Sequence, residues 1–163
     1  MKNIFLISFI LFSLQSFSQV NSHAIGLRAG SGNYGAGGEV SYQHGFGDAN
    51  RLEIDLGWRR NNGWGNNNHI IVLSGIYHWV WNLDQGLNWY AGIGAQIGDY
   101  RLKNKDEDIS GIIFGVGGQI GIEYDFNVHE VPLLLSLDAR PMIGFQSYYS
   151  FGYGGALALR YTF

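Results

Sequence analysis

The chain has no cysteine among its 163 residues, which excludes a disulfide scaffold and a lipid-modified N-terminal cysteine alike. Proline occurs twice and the formal charge is only −3 at pH 7, too small an imbalance to point to nucleic acid as a partner. A membrane-spanning helix is also missing: the apolar run at residues 4–14 falls short of the ~20 residues such a helix needs. That run follows Lys2 and precedes the small residues Ser16 and Ser18 in MKNIFLISFILFSLQSFSQ. This is the layout of a secretory signal peptide, so residues 1–18 are expected to be removed on export, leaving residues 19–163 as one domain.

What the chain has instead is glycine, 25 residues, and aromatic side chains, 15%, against a usual glycine content of about 7%. Such a composition suits curved strands better than packed helices. Two-residue alternation then recurs along the sequence. Leu52, Ile54, Leu56 and Trp58 interleave with Glu53, Asp55, Gly57 and Arg59, and no soluble helix fits that pattern. Equivalent alternation predicts strands over residues 23–31, 37–46, 52–59, 69–81, 87–98, 112–125, 133–140 and 153–163. The fourth is apolar on both faces for half its length; its terminal aromatics favour Ile71, Leu73, Tyr77, Trp79 and Trp81 facing outward, with Ser74 and His78 inside. Pro141 is expected to end regular pairing, since it cannot donate to the ladder. Residues 60–68, 99–110 and 145–152 read as the longer or more polar connections. The last strand, with Leu157, Leu159, Tyr161 and Phe163 on one face, needs a partner for its open edge, and the first strand, around residues 24–30, is the expected one.

The bulky apolar residues share one face of each strand, whereas the glycines and charges share the other. A soluble barrel would place the apolar face inward; a membrane barrel inverts this. Aromatics near strand ends, among them Tyr42, Phe46, Trp58, Trp89 and Tyr124, fit interfacial girdles. The expected fold is therefore all-β, an eight-stranded antiparallel up-and-down transmembrane barrel. With its signal peptide, its amphipathic strands, the segments Gly118–Tyr124 and Pro132–Asp138, and the terminal Arg160-Tyr161-Thr162-Phe163, the sequence resembles small outer-membrane β-barrel proteins of Gram-negative bacteria, of the OmpA-barrel or OmpX type. The resemblance implies the cell outer membrane as location, outer-membrane lipid and lipopolysaccharide as surroundings, and the barrel-assembly machinery as a partner that reads Tyr161 and Phe163 as an assembly signal.

The inward faces gather Arg28, Glu39, Glu53, Asp55, Arg59, Glu123, Asp138, Arg140 and Arg160, with Asp125 at the end of the same face. A barrel of eight strands is filled by its own side chains, and charges persist there when paired, so an ion-pair core is expected. A narrow pore with switching salt bridges is the alternative. Lipid-modifying catalysis is a third reading, weakened because Ser74 and His78 lie ~13 Å apart along one strand, too far for one to activate the other. His44 and His129 are expected at the periplasmic edge in polar interfacial roles. Arg59, Arg60, Arg101, Lys103 and Lys105 fall near the extracellular rim, where they could hold lipopolysaccharide phosphates or be solvated. Asp106, Glu107 and Asp108 read as solvated acid, since Ile109 stands where a calcium loop needs glycine. Gly30-Ser31-Gly32-Asn33-Tyr34-Gly35 matches a nucleotide-loop pattern, but a strand follows it instead of a helix. Trp64, Tyr148, Tyr149, Phe151 and Tyr153 could form a contact surface for an extracellular protein or glycan, or an upper girdle. No cofactor is expected, and the role read from the sequence is structural or interactive, without catalysis.

Overall fold

In a computed structural model, the residues described are 20–32, 35–61, 68–103, 108–145 and 151–163. Strands β1 (His23–Gly32), β2 (Gly35–Phe46), β3 (Asn50–Asn61), β4 (Asn68–Asp84), β5 (Leu87–Lys103) and β6 (Asp108–Asp125) run antiparallel, each paired with the next. After a single 3-10 turn at Phe126–His129 come β7 (Leu133–Ala139), β8 (Met142–Gly144), β9 (Phe151–Gly152) and β10 (Gly154–Thr162). Pro141 separates β7 from β8, but both pair with β6, so they form one interrupted stave. β9 and β10 form another, and the ten segments make an eight-stranded closed barrel.

Closure is made by β1 and β10, with Ala24 opposite Thr162 and Gly30 opposite Ala156. The first strand does cover the edge of the last. At the end that carries residues 20–23 and 161–163, three residues join β2 to β3 and two join β4 to β5, whereas six separate β3 from β4 at the other end. Short turns mark the periplasmic side of such barrels and longer loops the extracellular side. Gly47 and Gly86 take positive φ, 71° and 76°, in two of the short turns, a conformation glycine adopts without steric cost.

The structure extends the strands beyond the sequence reading. The β5–β6 ladder continues to Lys103 opposite Asp108, so most of the connection expected at residues 99–110 is strand. Above the bilayer the outward residues turn polar, and the two-residue alternation no longer shows as hydrophobicity. Leu27, Val40, Leu56, Ile71, Ile93, Ile122, Leu137 and Leu157 form the exposed apolar band, with Leu73 and Trp79 of β4 outward and Ser74 and His78 buried, as expected. With β1 and β10 joined to close the sheet and the apolar side chains outside, the barrel satisfies its backbone internally and meets hydrocarbon with hydrocarbon. It is a transmembrane fold.

Candidate functional site

Every second residue of each strand points into the lumen, and the lumen is where the charge collects. On the extracellular side, Arg28 sits opposite Glu39 on the neighbouring strand. It bonds the Glu39 carboxylate at 2.6 Å, donates through Nε to Asp138 at 3.1 Å, and makes a second contact with Asp138 through Nη2. Arg59 reaches the other Glu39 oxygen at 2.7 Å. In the middle, Arg140 donates to Asp55 at 2.5 Å, to Glu53 at 2.9 Å and to Gln119 at 2.9 Å. Arg160 crosses to Glu53 at 2.8 Å and donates to the hydroxyls of Ser41 and Ser136 at 2.9 and 2.8 Å. Towards the periplasm, Arg51 forms a two-pronged pair with Glu123 at 2.9 and 2.6 Å and lies 4.7 Å over the Tyr90 ring.

The residues predicted for the lumen are thus brought into one network, with two differences. Arg51 also belongs to it: it shares the inward parity of Glu53 and Asp55 but directly follows a turn, where alternation is weak. Asp125 does not: it stands at the periplasmic mouth, accepting from Asn21 at 2.8 Å and from the backbone of Asn127 at 2.9 Å. With these changes Arg28, Arg51, Arg59, Arg140 and Arg160 face Glu39, Glu53, Asp55, Glu123 and Asp138. The charges of the two sets cancel. Among the described residues, Asp55 Oδ1 is the buried side-chain oxygen left without a hydrogen-bond partner.

Inward glycines make room for the large members. A Cβ on Gly92 would fall 2.3 Å from the His78 ring, and one on Gly121 would fall 2.5 Å from the Tyr90 ring. Above the charged tiers the lumen changes character. Ile70, Tyr100 and Ile113 pack together with Val72, and Met142 is buried nearby. Between this apolar layer and Arg28, Arg59 and Arg140 lies a cavity of about 30 Å³, room for a water or two. The periplasmic end is an open vestibule of about 570 Å³ bordered by Asn21, Asn82, Asn88, Asp125, Asn127 and Thr162.

The other predicted residues fall as follows. Ser74 Oγ accepts from Arg140 at 3.2 Å, while His78 is engaged by Arg51 and Gln119, each at 3.3 Å, so the two are not brought together. Arg59, expected at the rim as well as in the lumen, has a side chain only 18% exposed and is committed to Glu39. Arg60 and Arg101 are exposed on the outer face, and Arg101 lies 3.6 Å from Asp99. His69 is in register with both, opposite Arg60 on one side and Arg101 on the other. Lys103 ends β5; Lys105, Asp106, Glu107, Trp64, Tyr148 and Tyr149 lie outside the described residues, as do residues 1–18 and Asn33 and Tyr34 of the glycine-rich segment. Asp108 begins β6. Phe151 and Tyr153 are exposed next to each other, ring centroids 6.4 Å apart. Tyr161 and Phe163 face outward from the last stave, stacked at 6.2 Å. Among the described residues no group of three or more His, Cys, Asp or Glu is placed to hold a metal.

No protein-family model matches the sequence, and no curated protein matches it. Solved structures do. The N-terminal β-barrel domain of Pseudomonas aeruginosa OprF is similar with a TM-score of 0.67 at 16% identity, over 88% of this chain and 98% of that one. Neisserial surface protein A gives 0.65 at 13% identity, over 86% and 95%. Ail, the attachment invasion locus protein of Yersinia pestis, gives 0.61 at 11% identity, over 90% and 99%, and has also been crystallised with the heparin analogue sucrose octasulfate. At such identities the likeness establishes the fold, that of the small eight-stranded outer-membrane barrels.

Proposed function

We propose that this chain is a sealed, non-catalytic barrel of the outer membrane whose role is structural and whose working surface is its extracellular rim. The observation that carries this is the double closure of the lumen. A permeating ion would have to part the apolar layer of Ile70, Tyr100 and Ile113 and then displace one partner of a buried, charge-balanced network. Losing one partner of such a pair costs about 3–5 kcal/mol, which holds the parted state below about one per cent of the population. Beneath that layer the described residues leave a cavity of only about 30 Å³, and Ser74 and His78 are occupied by arginine and amide partners. Purified protein in planar bilayers should show no resolved single-channel steps; steady conductance steps from a preparation showing heat-modifiable gel migration would refute the sealed reading.

A specific observation supports a contact role for the rim. Arg60, His69 and Arg101 are direct cross-strand neighbours, so with strands about 4.8 Å apart they form a basic row about 10 Å long. It lies above Trp58 and Ile71, both exposed to the lipid side. A row of that length over an aromatic and aliphatic band suits the phosphates of lipopolysaccharide, which guanidinium groups hold as forks. The polysulfated sugar bound by Ail is in keeping with an anionic saccharide as ligand of this fold. Tyr161 and Phe163 are accessible on the outer face of the last stave, as an assembly signal read from outside must be.

A further inference from the structure

We propose that His23 and His44 form a site for one borderline divalent transition-metal ion, Zn²⁺ or Cu²⁺, on the outer surface at the periplasmic rim. The two residues are directly opposite each other on β1 and β2. Both project from the outward face, which further along the same strands carries Ile25, Leu27 and Val40. Their Nδ1 atoms are 3.3 Å apart. A tetrahedral centre with metal–nitrogen bonds of 2.0–2.1 Å separates two of its ligand nitrogens by about 3.3–3.4 Å, so the spacing is already that of a chelating pair. Imidazole nitrogen suits zinc, copper and nickel over the hard alkaline-earth ions.

The surroundings hold the rings in this arrangement. Phe163 stacks on His23 at 5.4 Å, and Phe46 meets His44 edge-on at 4.8 Å. The Tyr42 hydroxyl stands 2.8 Å from His23 Nδ1, close enough to complete the set as a third oxygen ligand or to bond a metal-bound water. Fixed ligand rotamers lower the cost of assembling a site. Two facing imidazole nitrogens also have an internal conflict. Without a metal only one of them can present a proton to the other, and Tyr42 competes for the same atom; a cation takes both lone pairs at once. The third histidine of this rim differs: His129 is bonded to the Tyr124 hydroxyl at 2.9 Å and stacked on that ring at 6.1 Å, paired with a phenol where His23 has an imidazole.

The test is a Cu²⁺ titration of the tag-free chain folded in detergent, followed by electron paramagnetic resonance, with Zn²⁺ as competitor. One tightly held Cu²⁺ per chain with nitrogen splitting from two imidazoles, displaced by Zn²⁺, is the expected result. His23→Ala and His44→Ala should each weaken binding by at least about tenfold, the lower bound seen when even a supporting residue of a metal site is lost, and His129→Ala should leave it unchanged. Heat-modifiable migration checks that each variant is folded; should an alanine variant misfold, the wild-type spectrum decides alone. Splitting from a single nitrogen, or equal affinity in wild type and the His23→Ala/His44→Ala double variant, would overturn the site.

Discussion

Replacing Arg140 by methionine removes the cation at the centre of the lumen, and the geometry says which anion is stranded. Glu53 keeps Arg160 at 2.8 Å. Glu39 keeps Arg28 at 2.6 Å and Arg59 at 2.7 Å. Gln119, neutral, keeps its bond to Glu53 at 3.2 Å. Asp55 alone loses its ion-pair partner, 2.5 Å away, and its second oxygen already lacks a bond. One buried carboxylate is then left over in a set that had been balanced, a change that costs about 3–5 kcal/mol. Equilibrium urea unfolding of the barrel in lipid vesicles should show that loss for Arg140→Met. The double variant Arg140→Met/Asp55→Asn should regain most of it, because it removes one charge of each sign, and replacing a buried pair by neutral groups is often near neutral. Pairing Arg140→Met with Glu123→Gln should regain nothing, since that change instead deprives Arg51 of its carboxylate at 2.6 Å. A loss below about 1 kcal/mol for Arg140→Met, the range of an exposed pair, would refute the argument. Equal rescue by the two second substitutions would do the same.

Two further outcomes probe the outside of the barrel. Lipopolysaccharide in the outer leaflet should raise the unfolding temperature of the wild type more than that of Arg60→Ala/Arg101→Ala, each lost cation near the surface being worth about 1 kcal/mol; identical gains would remove the basic row as a contact. Leu27→Arg, at a position 68% exposed on the lipid face, should destabilise the vesicle-embedded barrel by about 2–4 kcal/mol if Leu27 lies near the bilayer midplane, and an unchanged unfolding midpoint would contradict the membrane assignment of that face.

Alternation alone exposes the staves and their inward and outward faces, because lipid on one side and a narrow lumen on the other impose opposite chemistry on successive residues. It fails where that contrast fades. Asp99, Tyr100 and Arg101 continue β5, but their outward members are already in the aqueous rim, so they read as loop. Arg51 and Asp125 show a related limit: each lies at a strand end, where a shift of a few ångströms decides between lumen and solvent. The pairing Arg28–Glu39 is an in-register neighbour contact and follows from the hairpin once its register is known. Arg51–Glu123 and Arg160–Glu53 instead join residues 72 and 107 positions apart. Such contacts exist only through closure and stagger, which no local pattern encodes. The His23–His44 apposition depends in the same way on the register of a hairpin, which composition leaves open.

The seam between β1 and β10 is where these charges meet the assembly of the barrel. Arg28 and Arg160 project into the lumen from the two strands that close it, on facing positions two residues apart in the ladder, Gly26 being opposite Arg160 and Arg28 opposite Ala158. Their counter-charges arrive from elsewhere: Glu53 from β3, Glu39 from β2 and Asp138 from β7. A chain that joined its ends before those strands were in place would seal two like charges together in a space of low dielectric. The seam is therefore most favourable when the staves that carry Glu39, Glu53 and Asp138 are in register beside it.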